Sequence, residues 1–246
     1  MRILGIDTAT SLASVAVVEN DDLIGEEIWH NRQRGNGTSL PTEGNRAEII
    51  LPLIDTVLEK NRISLNDLSA LAVSIGPGSF TGLRIGLATA KGIAYSSELP
   101  VIGVSTLVAS AARASDFRGV IGALLDARKH EVYMGLFQRG NGMFSRLASD
   151  GLYSIESAIE LMRKSLRETG EALMMAIGDG AERYKEILIS EFKGSIVVTA
   201  GQEYHSVAAQ VAALARSRIF AESVDDVNAL VPVYLRRPDA EARKSS

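Results

Sequence analysis

A run of apolar residues from Leu68 to Ile75 ends on Gly76-Pro77-Gly78-Ser79-Phe80-Thr81-Gly82, and a helical pattern continues from there to about Tyr95. A buried strand, a glycine-rich turn and a helix in that order form the building block of layered α/β structure. The helix carries Gly82, Gly86, Ala90 and Ala94 at every fourth position, so one side of it is nearly bare backbone. Glycine inside a helix costs roughly 1 kcal/mol against alanine. Two on one face therefore imply a close neighbour, either another helix of the same chain or a partner.

The chain opens with two apolar runs, Arg2 to Asp7 and Ala13 to Glu19, around Thr8-Ala9-Thr10-Ser11, which predicts a hairpin with Asp7 at its tip. The pattern recurs at Val120 to Leu125, which lead into Asp126, with Val132 to Phe137 as the returning arm. Two hairpins with an acidic tip suggest duplication of one α/β unit. Between them, Gly, Asn and Ser crowd residues 31–45, an expected loop, and Asn45 can cap a helix with Glu48 at its third position. Ile49, Leu53, Ile54, Val57 and Leu58 give that helix an apolar stripe, and Pro52 inside it should bend it. Pro100 to Val104 reads as a strand, and Ser105 as the cap of a short helix.

After the second hairpin come a helix with Ile155, Ala158, Ile159, Met162 and Leu166 on one face, a strand at Leu173 to Ile177 and a helix after Gly178-Asp179-Gly180. Ile196 to Val198 is a further short strand, and Ser206 is expected to open an alanine-rich helix over 206–218. The 246 residues, 46% of them hydrophobic, suffice for one large core or two small ones. The reading is an N-terminal lobe over 1–104 with helix 206–218 packed back on it, a smaller lobe over 105–205, and a polar tail over 223–246. The last residues of that tail are expected to be disordered.

The sequence excludes several classes of chemistry. It has no cysteine, and His30, His130 and His205 lie far apart without HxxxH spacing, so thiolate and histidine-built metal sites are not expected. Neither a zinc motif nor a nucleophile constellation supports a protease. A net charge of −4 argues against gripping RNA by bulk charge; no direct tRNA binding is expected, although Arg236, Arg237, Arg243 and Lys244 make the tail locally basic. Neither a leader nor a spanning segment is read from the first residues, so a cytoplasmic protein without membrane contact is expected.

Three places could carry chemistry. Asp7, Thr8 and Thr10 at the first hairpin tip could hold a phosphate and its magnesium ion, or simply bond the turn's own backbone. Gly76, Gly78 and Ser79 begin a loop that could admit an anion at a helix start. That loop is not a Walker A motif, and no acid stands where a dinucleotide fold needs one, Glu98 lying before the next strand. Asp126-Ala127-Arg128-Lys129-His130-Glu131 places alternating charges at the second tip, where Arg128 and Glu131 contact a ligand or pair with each other.

Gly5-Ile6-Asp7-Thr8, the run from Gly76 to Gly86, Asp126-Ala127-Arg128 with Glu131 and Tyr133, and Pro232 with Tyr234-Leu235-Arg236 together resemble the TsaB (YeaZ) family nearly end to end. The resemblance implies two ribonuclease H-like lobes of the actin-like ATPase type. It also implies a subunit of the machinery that makes threonylcarbamoyladenosine in tRNAs reading codons that start with A. The related catalytic family, TsaD, carries two metal-binding histidines in a stretch similar to Gly103 to Ser110; here Thr106 and Ser110 stand in their places, and hydroxyls are poor substitutes for imidazole. TsaB sequences often read HSE where this chain has Arg46-Ala47-Glu48, so no role carries over to Arg46.

The resemblance thus implies a non-catalytic scaffold that pairs with TsaD and helps recruit the ATPase TsaE; without TsaD the same surface would be apolar and uncovered, so a homodimer through it is expected. The expected partner interface is Glu48, Leu53, Val57, Phe80, Gly82, Leu83, Gly86 and Ala90. The residues expected near nucleotide are Asp7, Thr8, Thr10, Gly76, Gly78, Ser79, Asp126 and Arg128. No cofactor of the chain's own is expected, with ATP or ADP at the junction with TsaD. The alternative is a stand-alone nucleotide-binding ATPase or small-molecule kinase built on Asp7 and the glycine loop.

Overall fold

A computed structural model describes residues 1–30, 46–140, 143–199 and 206–236, with backbone alone for Arg46 and Met143. The expected loop 31–45 with its Asn45 cap, His205, and the basic tail residues Arg237, Arg243 and Lys244 lie outside the described residues. The chain divides into two compact units: Met1–Ala109 with Ser206–Val233, and Ser110–His205 with Tyr234–Ser246.

In the first unit, β1 (Arg2–Asp7), β2 (Ala13–Glu19) and β3 (Asp22–Trp29) form an antiparallel meander, and β4 (Ala70–Gly76) and β5 (Val101–Ser105) add in parallel beside β1. The sheet order is β3-β2-β1-β4-β5. The second unit repeats it. There β6 (Gly119–Asp126), β7 (Glu131–Gly140) and β8 (Met143–Ser154) are the meander, β9 (Met174–Ile177) and β10 (Ile196–Val198) are parallel additions, and the order is β10-β9-β6-β7-β8. Each lobe is thus an α/β layer structure of the ribonuclease H-like type, with one topology used twice.

The first sheet is covered on both faces, so β1, β2 and β4 read as nearly continuous apolar runs. Leu4, Ile6, Val15, Val17, Leu71 and Val73 point toward α1 (Arg46–Lys60) and α2 (Phe80–Ser97), meeting Ile49, Leu53, Val57, Leu87 and Ala90. The alternate residues Ile3, Ala16, Val18, Ala70 and Ala72 pack against Ala208, Val211, Ala212 and Ala215 of α7 (Ala208–Phe220). Gly5 makes this approach possible, since a Cβ there would lie 2.1 Å from the Ala208 carbonyl oxygen. The expected Ser206 cap is replaced: Val207 occupies the N-cap position without a side-chain bond, and the Ser206 hydroxyl reaches the Glu26 carboxylate at 2.5 Å. A charge-assisted bond is the stronger option for that hydroxyl.

The stretch from Ser223, read from sequence as the start of a polar tail, is built into the first unit as far as Val233. Arg218 forks onto both oxygens of Asp225 at 3.0 and 2.8 Å, Asp225 accepts the Gly103 amide at 2.8 Å, and Leu230 joins the core. The Val233 amide then donates to the Ile75 carbonyl at 2.7 Å. In the second unit, α4 (Ile155–Thr169), α5 (Asp179–Arg183) and α6 (Lys185–Phe192) surround a core of Leu124, Met134, Ile159, Met162, Leu188 and Phe192. A short helix, α3 (Thr106–Ala112), contains the boundary between the units.

Candidate functional site

The first hairpin tip and the glycine loop lie together at the carboxyl end of β1 and β4, and each occupies the other's polar groups. Fully buried Asp7 accepts the Ala9 amide on one oxygen at 3.1 Å and the Thr10 hydroxyl on the other at 2.7 Å. This is a side chain closing its own turn. The Thr8 hydroxyl donates to the Gly82 carbonyl at 2.6 Å, and the Ser79 amide donates to the Ala9 carbonyl at 2.8 Å. A Cβ on Gly78 would lie 2.4 Å from that same Ala9 oxygen. Ser79 caps α2 by accepting the Gly82 amide at 3.2 Å, and its carbonyl takes the Leu83 amide at 2.8 Å. Of the amides at this helix start, where an anion could bind, those of Ser79 and Gly82 are bonded within the chain.

Asp7 also has polar neighbours across the sheet. It pairs in register with Ser14, and the pairing of Ile6 with Val73 puts Ser74 beside it on the other side. Both serine hydroxyls are fully buried and lack a hydrogen-bond partner among the described residues. Sequence reading did not single them out, because serines inside apolar runs look like neutral spacers.

The second tip is built on the same plan. Asp126 accepts the Arg128 amide at 2.9 Å, the same two-residue reach that Asp7 makes to Ala9. Its other oxygen faces guanidinium groups of Arg128 at 3.5 Å and Arg183 at 3.4 Å, and its amide donates to Asp179 at 3.0 Å. Arg128 and Glu131 do not pair with each other: Glu131 pairs with Arg236, which also donates to the Ala127 carbonyl. Of the residues expected near nucleotide, Asp7, Thr8, Thr10, Gly76, Gly78 and Ser79 thus come together in the first unit, while Asp126 and Arg128 belong to the second.

The expected partner interface needs correcting. Leu53, Val57, Leu83 and Ala90 are buried in the chain's own fold, and Gly82 and Gly86 face Thr8, the residue after β1. A Cβ on Gly82 would lie 1.9 Å from the Thr8 carbonyl oxygen, and one on Gly86 would lie 2.4 Å from the Thr8 hydroxyl. The bare helix face is filled by the tip of the first strand, not by a partner. Phe80 is half-buried beneath Arg84, whose guanidinium carbon sits 3.8 Å from the ring centroid; only Glu48 is fully on the outside. The outward surface also includes Leu51 and Asp55 on α1, and Thr81, Arg84, Ala88 and Gly92 on α2. Leu51 is 52% exposed, and beyond the adjoining backbone of α2 itself no atom of the described residues lies within 4 Å of a Cβ built on Gly92.

Thr106 and Ser110 sit one turn apart on α3 and are both buried. Among the described residues, no group of three or more His, Asp or Glu is arranged to hold a metal ion, and no helix is long and apolar enough to cross a membrane.

Comparison with known proteins agrees with this architecture. The family described as TsaD, tRNA N6-adenosine threonylcarbamoyltransferase, matches residues 26–244. The chain is similar to the tRNA threonylcarbamoyladenosine biosynthesis protein TsaB of Escherichia coli, with 34% identity over 96% of this chain and 95% of that one. It is also similar to TsaB of Bacillus subtilis, with 28% identity over 99% and 97%. Among solved structures, YeaZ from Pseudomonas aeruginosa shares the fold with a TM-score of 0.72 at 24% identity, covering 95% of this chain and 99% of that one.

Proposed function

The chain belongs to the TsaB family of tRNA threonylcarbamoyladenosine biosynthesis proteins, and on that basis we propose that it supports threonylcarbamoyl transfer to adenosine in tRNA as a non-catalytic subunit. In this role it pairs with the TsaD-type transferase and helps recruit the ATPase TsaE. The observation that carries the reading is that the first hairpin tip and the glycine loop direct their hydrogen bonds to each other. Asp7 is engaged through both oxygens and the Ser79 amide is bonded to Ala9. A phosphate-processing site needs such groups turned toward its ligand. ATP or ADP then belongs to the junction with TsaD.

Contact with TsaD is made by the outward surface of α1 and α2. Leu51 supplies an exposed apolar anchor there, and Ala88 and Gly92 let a partner helix come close. In the absence of TsaD the same surface pairs with a second copy. The place of work is the cytoplasm, where the tRNA substrate is. Reconstitution tests the reading: tRNA modification by TsaD and TsaE should require this chain, and the chain alone should not turn over ATP. Equal modification without it, or ATP hydrolysis by the lone polypeptide, refutes the subunit role and favours the stand-alone ATPase or kinase.

A further inference from the structure

The turn that joins β6 to β7 departs from the local rule for such turns. The Glu131 amide donates to the Arg128 carbonyl at 2.9 Å, closing the turn over Lys129 and His130, and the Ala127 amide donates to the Glu131 carbonyl at 3.0 Å. Arg128, Lys129 and His130 have φ of 63°, 53° and 61°. Two-residue hairpin turns of this hand favour Asn-Gly or Asp-Gly, because a side chain with a Cβ crowds its own backbone in the left-handed region. Here three successive residues with Cβ atoms occupy it. Outliers of this kind persist where the rest of the structure enforces them, and they cluster at working surfaces.

What the three residues share is a basic side chain at an exposed apex, with the Arg128 side chain 78% exposed. Acidic neighbours lie below it, and one of them, Asp126, is the ion-pair partner of Arg128 at 3.5 Å. Asp126 faces Arg128 and Arg183, Glu131 is held by Arg236, and Asp179 takes the Asp126 amide. Glu156 lies at the start of α4, whose first amide, that of Ile155, donates to the His130 carbonyl at 3.1 Å. A bond from its own amide, then one from the Ser154 hydroxyl, and more weakly the charge of His130, hold its carboxyl below the ordinary value.

We propose that this apex lays Arg128, Lys129 and His130 against the phosphate backbone of tRNA in the assembled complex. The inference rests on the reading of the chain as a tRNA-modification subunit. A convex, exposed tip cannot enclose a small anion, whereas basic side chains side by side on a fixed turn suit a repeating polyanion. Such contacts position the RNA without reading its bases. The net charge of −4 speaks against binding by bulk charge, and this tip is a local departure from the expectation that a partner alone holds the RNA.

The test uses the full chain with its TsaD-type partner and labelled tRNA, with affinity measured by anisotropy across a salt series. The double variant Lys129→Asn/His130→Gly installs the residues the turn prefers while removing two basic groups. It should keep or raise the thermal midpoint and still assemble with TsaD, yet bind tRNA several-fold more weakly. The slope of log affinity against log salt should flatten by about 1. Arg128→Gln should flatten it by about 1. A merely structural turn would improve in stability and leave tRNA binding alone. Unchanged affinity and slope in both variants, with assembly intact, overturn the apex contact and leave the subunit reading standing; failure of the unaltered chain to assemble with TsaD overturns both.

Discussion

Replacing Gly86 and Gly92 by leucine, one at a time, applies the same chemical change to opposite sides of α2. At position 86 the new Cβ would lie 2.4 Å from the Thr8 hydroxyl oxygen. That hydroxyl is committed to the Gly82 carbonyl at 2.6 Å, so it cannot swing aside without leaving a buried donor and acceptor unmatched. Overpacking costs about 1–3 kcal/mol and the unmatched pair about 1–3 kcal/mol, against about 1 kcal/mol gained from removing a helical glycine. The net loss is about 1–5 kcal/mol, which at about 2–4 °C per kcal/mol lowers the thermal midpoint by roughly 2–20 °C. At position 92 no atom of the described residues beyond the adjoining backbone of α2 lies within 4 Å, so Gly92→Leu should hold or raise the midpoint by a few degrees while blocking assembly with TsaD. Differential scanning calorimetry and size-exclusion chromatography with TsaD read both effects. A Gly86→Leu protein that melts normally but fails to bind TsaD would refute the inward assignment of the glycine face.

Burial opposes ionisation of Asp225, but hydrogen bonds from the Arg218 side chain and the Gly103 amide, together with the Arg218 charge, more than offset it and hold the carboxyl below its ordinary value. Its stabilising contribution is therefore fully present above the ordinary carboxylate range and is lost as pH falls through the lowered value. Asp225→Asn should remove that part of the acid sensitivity in melts between neutral pH and pH of about 3, and a slope unchanged from wild type would refute it. Arg218→Ala should cost about 1–2 kcal/mol, a figure discounted because the guanidinium is more than one-third exposed; urea unfolding measures it. Arg236→Ala frees Glu131 and the Ala127 carbonyl, so amide exchange should quicken over the 127–131 turn while β6 stays protected, and uniform protection would contradict the clamp. Ser74→Ala removes a buried hydroxyl with no hydrogen-bond partner among the described residues and should change stability by less than about 1 kcal/mol. A larger loss would mean that the Ser14–Asp7–Ser74 row holds a ligand.

The two acidic-tipped hairpins are legible in the sequence because their strands are covered on both faces and read as apolar runs. Two of the edge strands, β3 and β8, are not legible there. β3 carries Asp22, Glu26 and Glu27 and is buried fully only at Trp29, and charge on an edge masks the alternation that marks a strand. The same masking hides β8, where Arg146 pairs with Asp150 along one stretch of strand. The glycine stripe announced a close approach but not what approaches, since Thr8 lies 74 positions away from the carbonyl it binds. Spacing on one helix carries no information about so distant a contact. The interface reading failed for that reason, and the outward residues Leu51, Ala88 and Gly92 became visible only once the inward face was occupied. The link from Arg236 to Glu131 spans 105 positions and was equally out of reach.

The first lobe closes only when the chain returns to it. Its sheet is complete by Ser105, yet the face lined by Ile3, Ala16, Ala70 and Ala72 is covered by α7, which begins at Ala208. A ribosome adding about 5–20 residues per second needs several seconds to make the intervening stretch. Throughout that interval a finished sheet stands with one oily side bare. Nascent chains should therefore be chaperone clients late in translation, and a message truncated before α7 should yield an aggregating fragment instead of a small stable domain.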